Sequence, residues 1–160
     1  MKRIITLAFA VIISGCSTIN KSQLSQSNPV LATENKAQVV EVTATGAANN
    51  YTFAVTVSSP DTGCDRYADW WEVITTKGEL IYRRVLLHSH VDEQPFTRSG
   101  GKIAVTPQQE VIVRVHSLPD GYSSIALKGT VESGFEEIVL PENFASQLAS
   151  VEPLPKNCAY

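Results

Sequence analysis

The chain has few of the residues that most exported chemistry relies on. Among 160 residues there are three cysteines, three histidines and one methionine. With no methionine cluster and no second cysteine pair, copper handling through soft ligands has little support. Basic residues are outnumbered, 13 against 16 acidic, so nothing electrostatic favours nucleic acid or an anionic lipid surface. No apolar run approaches the roughly 20 residues that a membrane-spanning helix needs. There is no G-x-S-x-G, no H-E-x-x-H and no glycine-rich phosphate loop, which removes the common signatures of hydrolases, zinc proteases and nucleotide enzymes. A dyad such as His88 with Glu93 can be drawn, as it can in most exported domains. A hydrolase of envelope polymers is therefore the weakest functional expectation, and it requires a deep cleft beside His88.

What is present begins at the N-terminus. Lys2 and Arg3 precede the run Ile4–Ile13, which is apolar apart from Thr6, the build of a secretory signal. The run closes on "ISGC", Ile13–Cys16. Charge, apolar run and box fall in the order of bacterial lipoprotein signals, and residues 1–17 resemble that class. The resemblance implies cleavage before Cys16, diacylglycerol on its sulfur, and acylation (palmitate or a similar chain) of the new amino group. Each buried CH₂ contributes about 0.8 kcal/mol, so two or three chains make a stable anchor. Ser17 stands where an Asp favours inner-membrane retention, which implies the outer membrane, facing the periplasm, in a Gram-negative host.

Removing residues 1–15 leaves eleven basic against sixteen acidic residues, a formal charge of −5. Residues 16–36 carry the lipidated cysteine and a Ser-, Asn- and Gln-rich stretch without periodicity, read as a disordered tether. A coil of that length reaches roughly 25 Å. Residues 37–160 then form one domain. Its two cysteines, Cys64 and Cys158, are expected to pair in an oxidising compartment.

The domain reads as all-β. In 51–58, Tyr51, Phe53, Val55 and Val57 alternate with small polar residues, a half-buried strand. Further strands are expected at 37–45, 69–76, 79–91, 102–106, 110–117, 123–132 and 135–140. Lys77-Gly78 marks a hairpin. The segment 92–102 reads as a connection with Phe96 as a buried anchor and Gly100-Gly101 at a positive-φ turn. The only helical hint is "PENFASQLAS", 141–150. Seven or eight short strands with at most one short C-terminal helix point to a single antiparallel β-sandwich, immunoglobulin-like or fibronectin-III-like. Of Trp70 and Trp71, one should face the core and the other lie outward or at an edge.

Alternation also places the histidines. With Ile81, Arg83, Val85, Leu87, Ser89 and Val91 facing inward, His88 and His90 share the outer face with Tyr82 and Arg84; Arg114 and His116 point outward from 110–117. One reading is a Zn or Cu site of His88, His90 and His116. A second is a carboxylate- or anion-recognition patch of Tyr82, Arg84, Arg114 and the histidines. A third is a solvated strand face with no ligand. A calcium site at Asp61, Asp65 and Asp69 lacks the alternation such loops use; Asp61 is expected to cap the turn before Gly63, and Arg66 to pair with a local acid. The leading functional expectation is a non-enzymatic, lipid-anchored envelope protein without cofactor, whose sandwich docks onto an envelope protein or polymer. A metal-binding module is the alternative.

Overall fold

The computed structural model describes residues 35–159, so the Ile13–Cys16 box and most of the tether lie outside the described residues. Nine strands follow in order: β1 Gln38–Ala47, β2 Asn50–Ser58, β3 Tyr67–Thr75, β4 Leu80–Val85, β5 Phe96–Ile103, β6 Val111–Leu118, β7 Gly121–Tyr122, β8 Ile125–Thr130 and β9 Gly134–Val139. One sheet has the order β1-β2-β5. The other runs β4-β3-β6-β8-β9, with β7 paired to β6. Every pairing is antiparallel. The chain passes from the first sheet to the second after β2, returns after β4 and crosses again after β5. This is the expected immunoglobulin-like sandwich, with β9 added at an edge.

Alternation builds the core between the sheets. Tyr51, Phe53, Val55 and Val57 of β2 are buried together with Trp71, Val73, Phe96, Val111, Val113 and Val115. Phe53 is wholly inaccessible, a burial that stabilises by about 1.5–3 kcal/mol. The β3–β4 hairpin turns where expected, with Gly78 at φ 84°. The Thr75 hydroxyl accepts the amides of Lys77 and Glu79.

A second apolar cluster holds Ile74, Ile112, Ala126, Leu140 and Leu148. It lies on the face of the larger sheet turned away from the first, beneath the segment that follows β9. That segment contains a short 3-10 helix, Ser146–Ser150, in place of the helix suggested for 141–150. Covering both faces explains why β3 is buried from Tyr67 through Ile74. It also settles the tryptophan pair. Trp71 faces the inner core as alternation requires, and Trp70 faces the other way but is covered.

Two expected strands change. The strand predicted over 79–91 stops at Val85. Beyond it the alternation reverses, since Leu86 and His90 are buried while Leu87 and Val91 are 59% and 50% exposed. The strand predicted over 102–106 is instead β5, and it occupies most of the stretch read as a connection. Phe96 is buried there as expected. Gly100 and Gly101 are strand residues rather than a positive-φ turn. A Cβ on Gly100 would lie 2.6 Å from the Tyr82 hydroxyl and 2.9 Å from the Trp71 ring, so that glycine serves close approach of the second sheet.

Candidate functional site

β3 is the middle strand of β4-β3-β6, and its register sets what each row presents. Glu72 lies between Arg83 of β4 and Arg114 of β6. The adjacent row, Arg84–Trp71–Val115, points to the opposite face. Arg84 and Arg114 therefore do not share a patch. Arg83, assigned to the core by alternation, is the partner that Arg114 has across Glu72. Tyr82 belongs to the inner face, with its ring 5.5 Å from Trp71; Arg84 is exposed.

The Glu72 row is a buried charge network. Arg83 Nε donates to Glu72 Oε2 at 2.9 Å and Arg114 Nε to Oε1 at 2.8 Å. All three side chains are at most 1% exposed. The remaining guanidinium donors reach the C-terminal segment. Arg114 bonds the carbonyls of Phe144 and Ala145 at 2.6 and 3.0 Å, and Arg83 bonds those of Leu148, Val151 and Pro153. Arg114, expected to point outward, instead joins Arg83 in holding down the segment that covers them both.

One row further along β3, Trp70 pairs with His116. Their rings stack at 3.8 Å and 4°. The buried Asp69 carboxylate lies 2.7 Å from His116 Nδ1, and Tyr122 meets the imidazole edge-on at 4.9 Å. The Tyr122 ring also carries the Arg114 guanidinium 3.6 Å from its centre. Burial, and then the charge of Glu72, push the Tyr122 phenol up to about 12, so it keeps its proton throughout the physiological range.

These residues border a cavity of about 570 Å³. His116, Arg114 and Tyr122 form one wall and Leu140, Pro141 and Phe144 another; Lys36, Asp120, Ser123 and Ser124 also line it. Lys36 Nζ donates to the Tyr122 carbonyl at 3.2 Å. Asp120 pairs with Arg66 at 2.9 Å, the acid that Arg66 finds instead of a nearer one. This cavity lies beside His116, and His88 is not among the residues that line it.

His88 and His90 sit elsewhere, in the loop after β4, with ring centres 4.5 Å apart. His90 is 4% exposed and stacks on Phe96 at 3.7 Å. Among the described residues neither of its ring nitrogens has a hydrogen-bond partner. Asp61 holds this loop in place. Its carboxylate accepts the amides of Ala68 at 3.0 Å and His90 at 2.8 Å, together with the Ser59 hydroxyl, instead of capping the turn before Gly63. Glu93, which could be drawn as a dyad partner of His88, pairs with Arg98 at 2.8 Å. The three histidines are divided between two environments. Among the described residues no group of three or more His, Cys, Asp or Glu side chains is placed to hold a metal ion, Asp61, Asp65 and Asp69 included.

The Cys64–Cys158 bridge forms as expected, with Cα atoms 5.6 Å apart. Sequence reasoning missed Lys36 and Tyr122, and it considered Asp69 for calcium only, not as the partner of His116. Asp69, two residues before Trp71 on a strand, carried a usable signal: on a buried strand a carboxylate needs a partner.

Comparison with known proteins yields one likeness. The chain is 41% identical over 100 residues, 62% of its length, to a protein from Halomicrobium mukohataei named "Putative lipoprotein". It spans about half (49%) of that protein's length. No family model matches the chain, and no solved structure matches it.

Proposed function

We propose that this is a lipid-anchored protein of the cell envelope whose β-sandwich is a non-enzymatic binding module. The observation that carries the anchor is the order of Lys2-Arg3, the apolar run and Ile13-Ser14-Gly15-Cys16 ahead of a domain whose first strand starts only at Gln38. The name of the similar Halomicrobium mukohataei protein supports it. Among the described residues no helix is long and apolar enough to cross a membrane; the proposed anchor is the lipid on Cys16. With Ser17 after the cysteine, the destination in a Gram-negative envelope is the outer membrane, with the domain facing the periplasm.

The binding role is supported by the cavity beside His116. Its walls are pre-organised, because Asp69 and Trp70 fix the imidazole and Glu72 fixes Arg114. Rigid, partly apolar concave sites with a few placed polar groups are the usual form of ligand sites. The bound component would be an envelope protein or polymer segment.

The anchor is tested by replacing Cys16 with Ala and fractionating cells. The wild-type chain should sediment with membranes and the variant should appear in the soluble fraction. A variant that still sediments with membranes contradicts the anchor.

A further inference from the structure

The cavity beside His116 has an uneven charge balance. Glu72 is one carboxylate held between two guanidiniums, and all three are buried. The other donors of Arg83 and Arg114 go to neutral carbonyls. One positive charge in that network therefore has no carboxylate of its own and is met only by ring faces, with Arg114 3.6 Å from the centre of Tyr122 and Arg83 4.5 Å from that of Trp70; buried charge without a full counterion is costly. Among the other polar residues of the cavity, Asp120 is taken by Arg66 and His116 is held by Asp69. Lys36 spends one of its three donors on the Tyr122 carbonyl. Against Lys36 and the surplus guanidinium stands Glu142, which is exposed. The opposing wall of Leu140, Pro141 and Phe144 offers apolar surface.

We propose that this cavity is a carboxylate site, taking an organic acid with an apolar body. Its carboxylate would meet Lys36 and lie near Arg114, and its apolar part would lie against Leu140 and Phe144. A volume of about 570 Å³ suits an acylated amino acid or the end of a short peptide. The proposal rests on the reading of the sandwich as a binding domain and names the ligand class for that same cavity.

The test compares N-acetylleucine with N-acetylleucinamide, which match in shape and differ in charge. Full-length protein in a neutral detergent is titrated by calorimetry and by the fluorescence of Trp70, which stacks on His116. The acid should bind saturably and the amide about tenfold more weakly or worse, the ratio expected for losing one charge-assisted contact. Lys36→Met should weaken the acid by a similar factor while leaving the urea unfolding midpoint unchanged. Inorganic phosphate should compete poorly, having no apolar body. Equal affinity for acid and amide would overturn the carboxylate assignment and leave a binding domain standing. So would phosphate binding as tightly as the acid, or unchanged acid affinity in Lys36→Met. Absence of saturable binding of either compound up to about 10 mM would overturn the site itself. None of these outcomes bears on the anchor, which the Cys16→Ala fractionation tests separately.

Discussion

His90 is the residue whose surroundings most constrain its chemistry. Burial, and then the positive charges of Arg98 and His88, hold its imidazole below the ordinary value of 6.5, with Asp61 and Glu93 offsetting part of the effect. The folded protein therefore binds this proton at lower pH than the unfolded chain does. Between about 6.5 and the folded value the unfolded state holds more protons, so stability falls as pH decreases through that window and is intact above it. Urea midpoints at pH 7.5 and 5.5 should drop more for the wild type than for His90→Phe, which cannot take a proton. Identical drops would contradict this. His88 and His90 were legible as a pair, and His88 is exposed as expected, but the burial of His90 was not legible. The strand they extend ends at Val85, and past that point a period of two no longer says which way a side chain points. Arg83 was misassigned for another reason: alternation identified its face correctly as opposite to that of Arg84, but took the face turned toward the other sheet to be the only buried one.

At the scale of elements, the segment from Pro141 to Cys158 does what a further layer would do. It covers Ile74 and Ile112, and its carbonyls receive Arg83 and Arg114. The Cys64–Cys158 bridge fastens its end to the loop before β3, and Ala159 donates its amide to Leu87 at 2.6 Å. A bridge closing a loop of about 100 residues stabilises by up to about 4–5 kcal/mol in the chain-entropy picture. Replacing both cysteines with Ser should lower stability by up to that amount. It should also speed amide hydrogen exchange at Leu148 and Val151 more than in β2. Unchanged exchange at those two amides would show that the arginine contacts hold the segment unaided. The cysteine pair was legible from compartment logic, and the hairpin at Gly78 from its turn residue. β5 was hidden, because "TRSGGK" has low strand propensity, and its Gly100 is explained only by Tyr82 and Trp71 approaching from the opposite sheet.

For the whole molecule, strand alternation was enough to identify a sandwich, since β2, β3 and β6 each bury a regular apolar face. The cavity was not legible. Its walls come from Lys36, from β6–β7 and from the residues after β9, which only the folded chain brings together. The central claim is that a sandwich of this kind is held at a membrane by lipid on Cys16. Intact-mass spectrometry of the protein purified from its membrane tests this most directly. The claim predicts a chain starting at Cys16, lacking residues 1–15, with added mass equal to a diacylglyceryl group and an acyl chain. A chain that retains residues 1–15, or one that starts at or near Cys16 without lipid mass, would contradict it.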